Sequence, residues 1–175
     1  MAQRVEHDDL TAKQKDYAVF LPALSSFYGT FIGKQRVAND YVDPLRMPKN
    51  IPEMENMNWL NSQEGLFTYK WSLYSAGHAN LDMSVDAPKE DMVRKREAGT
   101  FMLGDSGGFQ IAKGLWEGDW KANSGCPKAQ KKRQLVLTWL DSIADYGMIL
   151  DIPTWVIHDK KASKACGITT LQEAI

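Results

Sequence analysis

The sequence predicts an α/β fold built on a parallel sheet, and three observations carry that prediction. Residues 100–103 (Thr-Phe-Met-Leu) and 148–150 (Met-Ile-Leu) are short apolar runs without polar alternation, the pattern of strands in a parallel sheet covered on both faces. A segment with helical spacing, 128–146, lies between them. Each run leads into an aspartate, Asp105 and Asp151, so the order strand, acid, helix, strand, acid runs along the chain.

The elements follow in order. Residues 13–28 place Tyr17, Phe20, Leu21, Leu24 and Phe27 near helical spacing, with Pro22 kinking or delaying that helix. Residues 34–52 contain Pro44, Pro48 and Pro52 and predict a long irregular connection. A short helix is expected over 53–61, and the aromatic-rich run 65–75 predicts a strand. Residues 88–99 predict a helix, with Pro88 at its first position, acids in its first turn and Gly99 at its end. After the strand at 100–103 comes the run Gly104-Asp105-Ser106-Gly107-Gly108-Phe109-Gln110, then a polar loop to Pro127. The helix over 128–146 is expected to bury Leu135, Leu137, Leu140, Ile143 and Ala144 and to stop at Gly147. A last helix begins near Thr169. The division expected is a helical and irregular extension over 1–64, followed by the α/β unit over 65–175.

Composition limits the function classes. The chain has 175 residues, 43% hydrophobic and 25% charged, which is ordinary globular composition and excludes collagen-like and disordered classes. The balance of 21 basic against 22 acidic side chains gives no global case for a nucleic-acid module. Two local clusters could still neutralise phosphates or be ordinary solvated surface: Lys128, Lys131, Lys132 and Arg133, and Lys160, Lys161 and Lys164. Two cysteines, Cys126 and Cys166, allow neither a disulfide framework nor a four-thiolate metal site. No apolar run reaches membrane-helix length, and residues 1–9 lack the apolar core of a signal peptide, so a soluble cytoplasmic protein is expected.

Functional groups in parallel α/β folds gather at the carboxyl ends of strands. There Asp105 and Asp151 would share one mouth, as acid–base work on a sugar or base requires. Gly107 and Gly108 would let a flat ligand approach the backbone. The alternative is structural: Asp105 caps a turn and Asp151 precedes a proline turn. His78 follows the aromatic strand and could enter the same mouth, and Gln110 could bond the base or cap the loop.

The run 104–110 resembles the D-[ST]-G-G-[FY]-Q signature of the tRNA-guanine transglycosylases, and Met148-Ile149-Leu150-Asp151 resembles that family's second acidic strand end. The resemblance covers roughly residues 70–155 and is strongest to the viral branch, which places 7-deazaguanines in DNA. It implies a (β/α)8 TIM barrel, of which this chain would hold the N-terminal half. It also implies a pentosyltransferase reaction: a carboxylate attacks the anomeric carbon, guanine leaves, and a 7-deazaguanine takes its place. By that resemblance Asp105 is the acid that gives and takes protons at the base. Ser106, Gly107 and Gly108 line the loop beside sugar and base, and Asp151 holds the Watson–Crick edge of the purine. The target base must leave its stack, and Trp116, Trp120 and Trp155 are close enough in sequence to stack on it or to be ordinary packing aromatics.

The same resemblance puts the nucleophilic aspartate on a later strand, beyond Asp151, and a zinc site of three Cys and one His further on. No cofactor or metal is therefore expected within these residues. The chain is expected to be a fragment, inactive in base exchange alone, that needs a complementary C-terminal half or a second copy. Three alternatives stand beside the DNA-modifying reading: a tRNA-modifying relative, a non-catalytic remnant that binds nucleic acid or a partner through its basic clusters, and an unrelated barrel glycosidase using Asp105 and Asp151 as its acid pair.

Overall fold

A computed structural model describes residues 19–25, 45, 47–81 and 91–174. Its centre is a sheet of four parallel strands in sequential order: β1 (Ala23–Leu24), β2 (Trp71–Ser75), β3 (Phe101–Asp105) and β4 (Tyr146–Gly147). Trp71 pairs with Phe101 and Ser75 with Asp105, so β2 and β3 end level; Leu103 pairs with Tyr146 and Gly104 with Gly147. Around the strands lie α1 (Asp91–Arg94), α2 (Gly108–Ala112), α3 (Pro127–Ile143), α4 (Lys160–Cys166) and α5 (Leu171–Ala174), with 3-10 turns at Met54–Met57 and Thr154–His158.

The parallel α/β arrangement is as the sequence predicts, but several boundaries move for identifiable reasons. Residues 19–25 form no helix. Proline lacks an N–H and disfavours helical geometry in the residue before it; here the Pro22 carbonyl accepts from Leu73 N at 2.9 Å and starts β1. The remainder of the helix expected over 13–28 lies outside the described residues, as do residues 34–44 and 46 of the irregular connection and 88–90 of the helix expected to start at Pro88. In the aromatic run, 65–70 is irregular and only 71–75 is strand.

The largest change is around Asp145. The helix expected to reach Tyr146 ends at Ile143, because Asp145 leaves it to join β3. Asp145 N donates to the Met102 carbonyl at 2.9 Å, and Asp145 Oδ2 accepts from Met102 N at 2.7 Å. Arg96 closes the clamp at 3.2 Å from the same oxygen while donating to the Thr100 and Ile143 carbonyls. Gly147 therefore lies in β4 rather than stopping a helix, and the apolar residues 148–150, expected as strand, form the segment beyond it.

Two cores hold the molecule together. The first packs α3 and α1 on one face of the sheet, through Tyr74, Met102, Met92, Val136, Trp139 and Ile143. Of the α3 positions expected to be buried, Ile143 is, Leu135, Leu140 and Ala144 are half-buried, and Leu137 is exposed; Val136 and Trp139 take its place. Gly104 makes this packing possible, since a Cβ there would stand 2.4 Å from Leu140 Cδ2 and 2.8 Å from the Ala144 Cβ. Leu24, Trp59 and Leu60 share this core, so the described parts of 1–64 and the strands of 65–175 are packed together. The opposite face carries Trp71, Phe101 and Tyr146, whose rings run across three strands at 5.1 and 5.7 Å. Their cover is partial, which differs from the fully sandwiched sheet expected: β3 alternates buried and half-buried residues instead of burying both faces.

The second core lies beyond the strand ends. Ile111 and Ala112 of α2, Ile152, Val156, and Ala162 and Cys166 of α4 pack there with Trp120. The stretch 160–164, whose lysines could neutralise phosphates or be ordinary solvated surface, is helix. Asp159 Oδ1 caps it, accepting from Lys161 N at 2.8 Å and Ala162 N at 3.0 Å, and Gly167 ends it in the left-handed region. Among the described residues, no helix is long and apolar enough to cross a membrane.

Candidate functional site

Asp105 is the last residue of β3 and is half-buried. Its in-register neighbour Ser75 donates a short hydrogen bond to Asp105 Oδ2. Ser75 Oγ in turn accepts from Gly77 N at 3.2 Å, and the Asp105 carbonyl accepts from Ala76 N at 2.8 Å. One carboxylate oxygen is thus committed to the β2 end, and Oδ1 has no hydrogen-bond donor among the described residues.

The loop after Asp105 is held on every side. Ser106 is fully buried and donates to the Ile149 carbonyl at 3.1 Å, tying this loop to the segment after β4. Met148 N donates to the Gly104 carbonyl at 2.8 Å, so the two chains stay side by side beyond the paired strands. Gly107 has φ +82°, a conformation that suits glycine. A Cβ there would lie 2.7 Å from the edge of the Trp116 ring. Gly108 is more constrained still: a Cβ would stand 1.6 Å from the Asp151 carbonyl oxygen. That contact brings Asp151 against the loop headed by Asp105. The Asp151 side chain is exposed, with Oδ1 3.4 Å from the same Cβ position and no hydrogen bond or ion pair among the described residues.

Gln110 is buried under the turn after β2. A Cβ on Gly77 would overlap its amide, at 2.0 Å from Cδ. Its Oε1 has no hydrogen-bond donor among the described residues. A buried acceptor without a donor costs about 1–3 kcal/mol, so this oxygen is a weak point of the packing under Gly77. His78 lies in the turn two residues after Gly77's neighbour Ala76, at the same end of the sheet, and is exposed; its backbone N donates to the Ser75 carbonyl at 3.0 Å.

The residues expected from sequence therefore divide. Asp105, Ser106, Gly107, Gly108, Gln110 and Asp151 are gathered at one end of the sheet, whereas His78 stands at the rim. Sequence reasoning missed Ser75 and Gly77, which reach the site through strand register and a turn, and Asp145, which anchors the start of β4. Of the three tryptophans, Trp120 is buried and stacks at 6.3 Å on Trp116, which leans on Gly107, while Trp155 is partly exposed. Among the described residues no three His, Cys, Asp or Glu side chains are grouped as a metal site requires. Comparison with protein-family models, with curated proteins and with solved structures finds no match.

Proposed function

We propose that this end of the sheet recognises guanine and a 7-deazaguanine in a base-exchange reaction on DNA, on the N-terminal part of a (β/α)8 barrel. The packing of the Asp151 carbonyl on Gly108 carries this reading, because it sets Asp151, in the segment after β4, beside the glycine loop that Asp105 heads at the end of β3. The sequential order of four parallel strands is the order in which a barrel is built. The edge strand β4 supports the same reading: Tyr146 within it and Met148 and Ile149 just after it are exposed, as suits an edge to which a further unit adds.

The chemistry follows from the groups. Guanine presents N1–H and a 2-amino group side by side, and an ionised carboxylate can accept from both in strong charge-assisted bonds. Asp151, exposed and unengaged, takes that role. Gln110, packed under Gly77, supports the loop from beneath. Exchange breaks the bond between the anomeric carbon and N9. The departing base must gain a proton, and the incoming 7-deazaguanine must lose one at N9. Asp105, held by Ser75 through one oxygen, serves that transfer with the other. Gly107 and Gly108 leave the backbone open to a flat base. These residues act on the base; attack at the anomeric carbon belongs to the later strand that the resemblance implies.

Calorimetric titration of 7-deazaguanine into the protein tests the reading. Binding is expected, with adenine not competing. Asp151→Ala and Asp105→Ala should each weaken it at least tenfold, the loss of one charge-assisted bond being about 1.5–3 kcal/mol. Unchanged affinity in both variants would overturn the assignment and favour a protein that does not recognise the base.

A further inference from the structure

Beside the base site lies a surface that the base reading leaves unused. The Lys113 ammonium, at the end of α2, sits 5.3 Å from the centroid of the Phe109 ring and 5.3 Å from that of Trp155. These rings are 54% and 37% exposed. Helix α2, which Lys113 follows, packs on α4 in the second core, and α4 begins with the exposed Lys160 and Lys161. Lys164 follows one helical turn later, on the side shared with Lys160 and Lys161. Asp159 spends its carboxylate on the backbone N–H groups of Lys161 and Ala162. None of the four lysines forms an ion pair among the described residues, whereas Lys95 and Lys121 pair with Glu64 and Glu173.

One lysine over a partly exposed indole, beside a short helix carrying three more lysines that form no ion pair among the described residues, is chemistry suited to a single polynucleotide strand. Lysines neutralise phosphates, and every base has a face that can stack on an aromatic ring. Duplex DNA keeps its base faces inside and cannot use the indole.

We propose that Trp155, Lys113 and the lysines of α4 hold single-stranded DNA flanking the target nucleotide. The strand's phosphates lie along Lys160, Lys161 and Lys164, and one base stacks on Trp155. The surface adjoins the base site, since Phe109 follows Gly108 directly and Trp155 follows Asp151 by four residues. The proposal rests on the reading of a nucleic-acid substrate and adds where its strand runs.

The probe is a labelled twelve-nucleotide oligothymidylate, which contains no guanine and so reports this surface apart from base recognition. Fluorescence anisotropy should detect binding that weakens with salt. Trp155→Ala should weaken it about tenfold, and Trp155→Phe should restore most of it. The triple variant Lys160→Gln/Lys161→Gln/Lys164→Gln should lower the slope of log affinity against log salt by about two. Affinity for 7-deazaguanine should stay unchanged in all three. Equal affinity of the triple variant and the parent, or equal competition by a duplex of the same length, would overturn the proposal. Oligothymidylate binding that persists without 7-deazaguanine binding would overturn the base reading and leave this surface standing.

Discussion

The two strand-end segments that meet at the candidate site are built in opposite ways. Asp105–Gln110 is fixed at nearly every residue: Ser75 holds the acid, Ser106 is buried and bonded, Trp116 crowds Gly107, and Gln110 is packed under Gly77. The segment 148–151 is held mainly by its backbone, through Met148 N, the Ile149 carbonyl and the Asp151 carbonyl. The side chains of Met148, Ile149 and Asp151 are open, with Ile149 87% exposed, while Leu150 packs against the second core. One segment presents a carboxylate of fixed position, as proton transfer needs. The other presents a carboxylate with unspent acceptor capacity, as ligand recognition needs.

The root of the second segment is the first place to break this contrast. Asp145→Ala removes one partner of a nearly buried ion pair and strands the Arg96 guanidinium and Met102 N. A loss of about 3–5 kcal/mol is expected, visible as a lower melting temperature and a lower denaturant midpoint. Gly108→Ala attacks the contact between the segments. The clash is with a backbone oxygen, which no side-chain rotation relieves, so one loop must shift at a cost of about 1–3 kcal/mol. Binding of 7-deazaguanine should fall with it, although no group that touches the base has been removed.

Acid titration probes a region away from both segments. Glu173 accepts first from Thr169 N, then from the Thr169 hydroxyl, with Lys121 nearby, and its pKa is lowered from 4.5 to about 2. Its stabilisation is complete above about pH 4.5 and drains away as pH falls from there toward 2. Glu173→Gln should flatten the melting temperature against pH in that window while leaving neutral-pH base binding intact. The smallest effect on stability is expected at Asp151→Ala. An exposed side chain without a bond should change unfolding by less than about 0.5 kcal/mol. A large destabilisation there would mean that this acid holds the loop rather than a ligand.

Some of the fold was legible because its signals are local. The run Phe101-Met102-Leu103 is strand, and Pro127 and the following spacing mark α3 within one residue of its start. The phase of α3 was legible too: stepping back from Ile143 by three or four residues reaches Trp139 and Val136, whereas counting leucines selects the exposed Leu137. Asp159 and Gly167 bracket α4 with ordinary start and stop chemistry, so that helix could have been found from them. The end of α3 could not. Its last turn is settled by Asp145 bonding to Met102, a residue 43 positions earlier.

By itself, then, the sequence determined that short strands alternate with helices and that the run 101–103 leads into Asp105, since propensity, periodicity and turn chemistry act over a few residues. Only the tertiary structure decided which oxygen of Asp105 is engaged, that Gly108 must lack a side chain, and that Gln110 packs under Gly77 with no donor to its Oε1 among the described residues. Those facts depend on Ser75, Asp151 and Gly77, brought within bonding range by strand register and loop packing across 30 or more residues of chain.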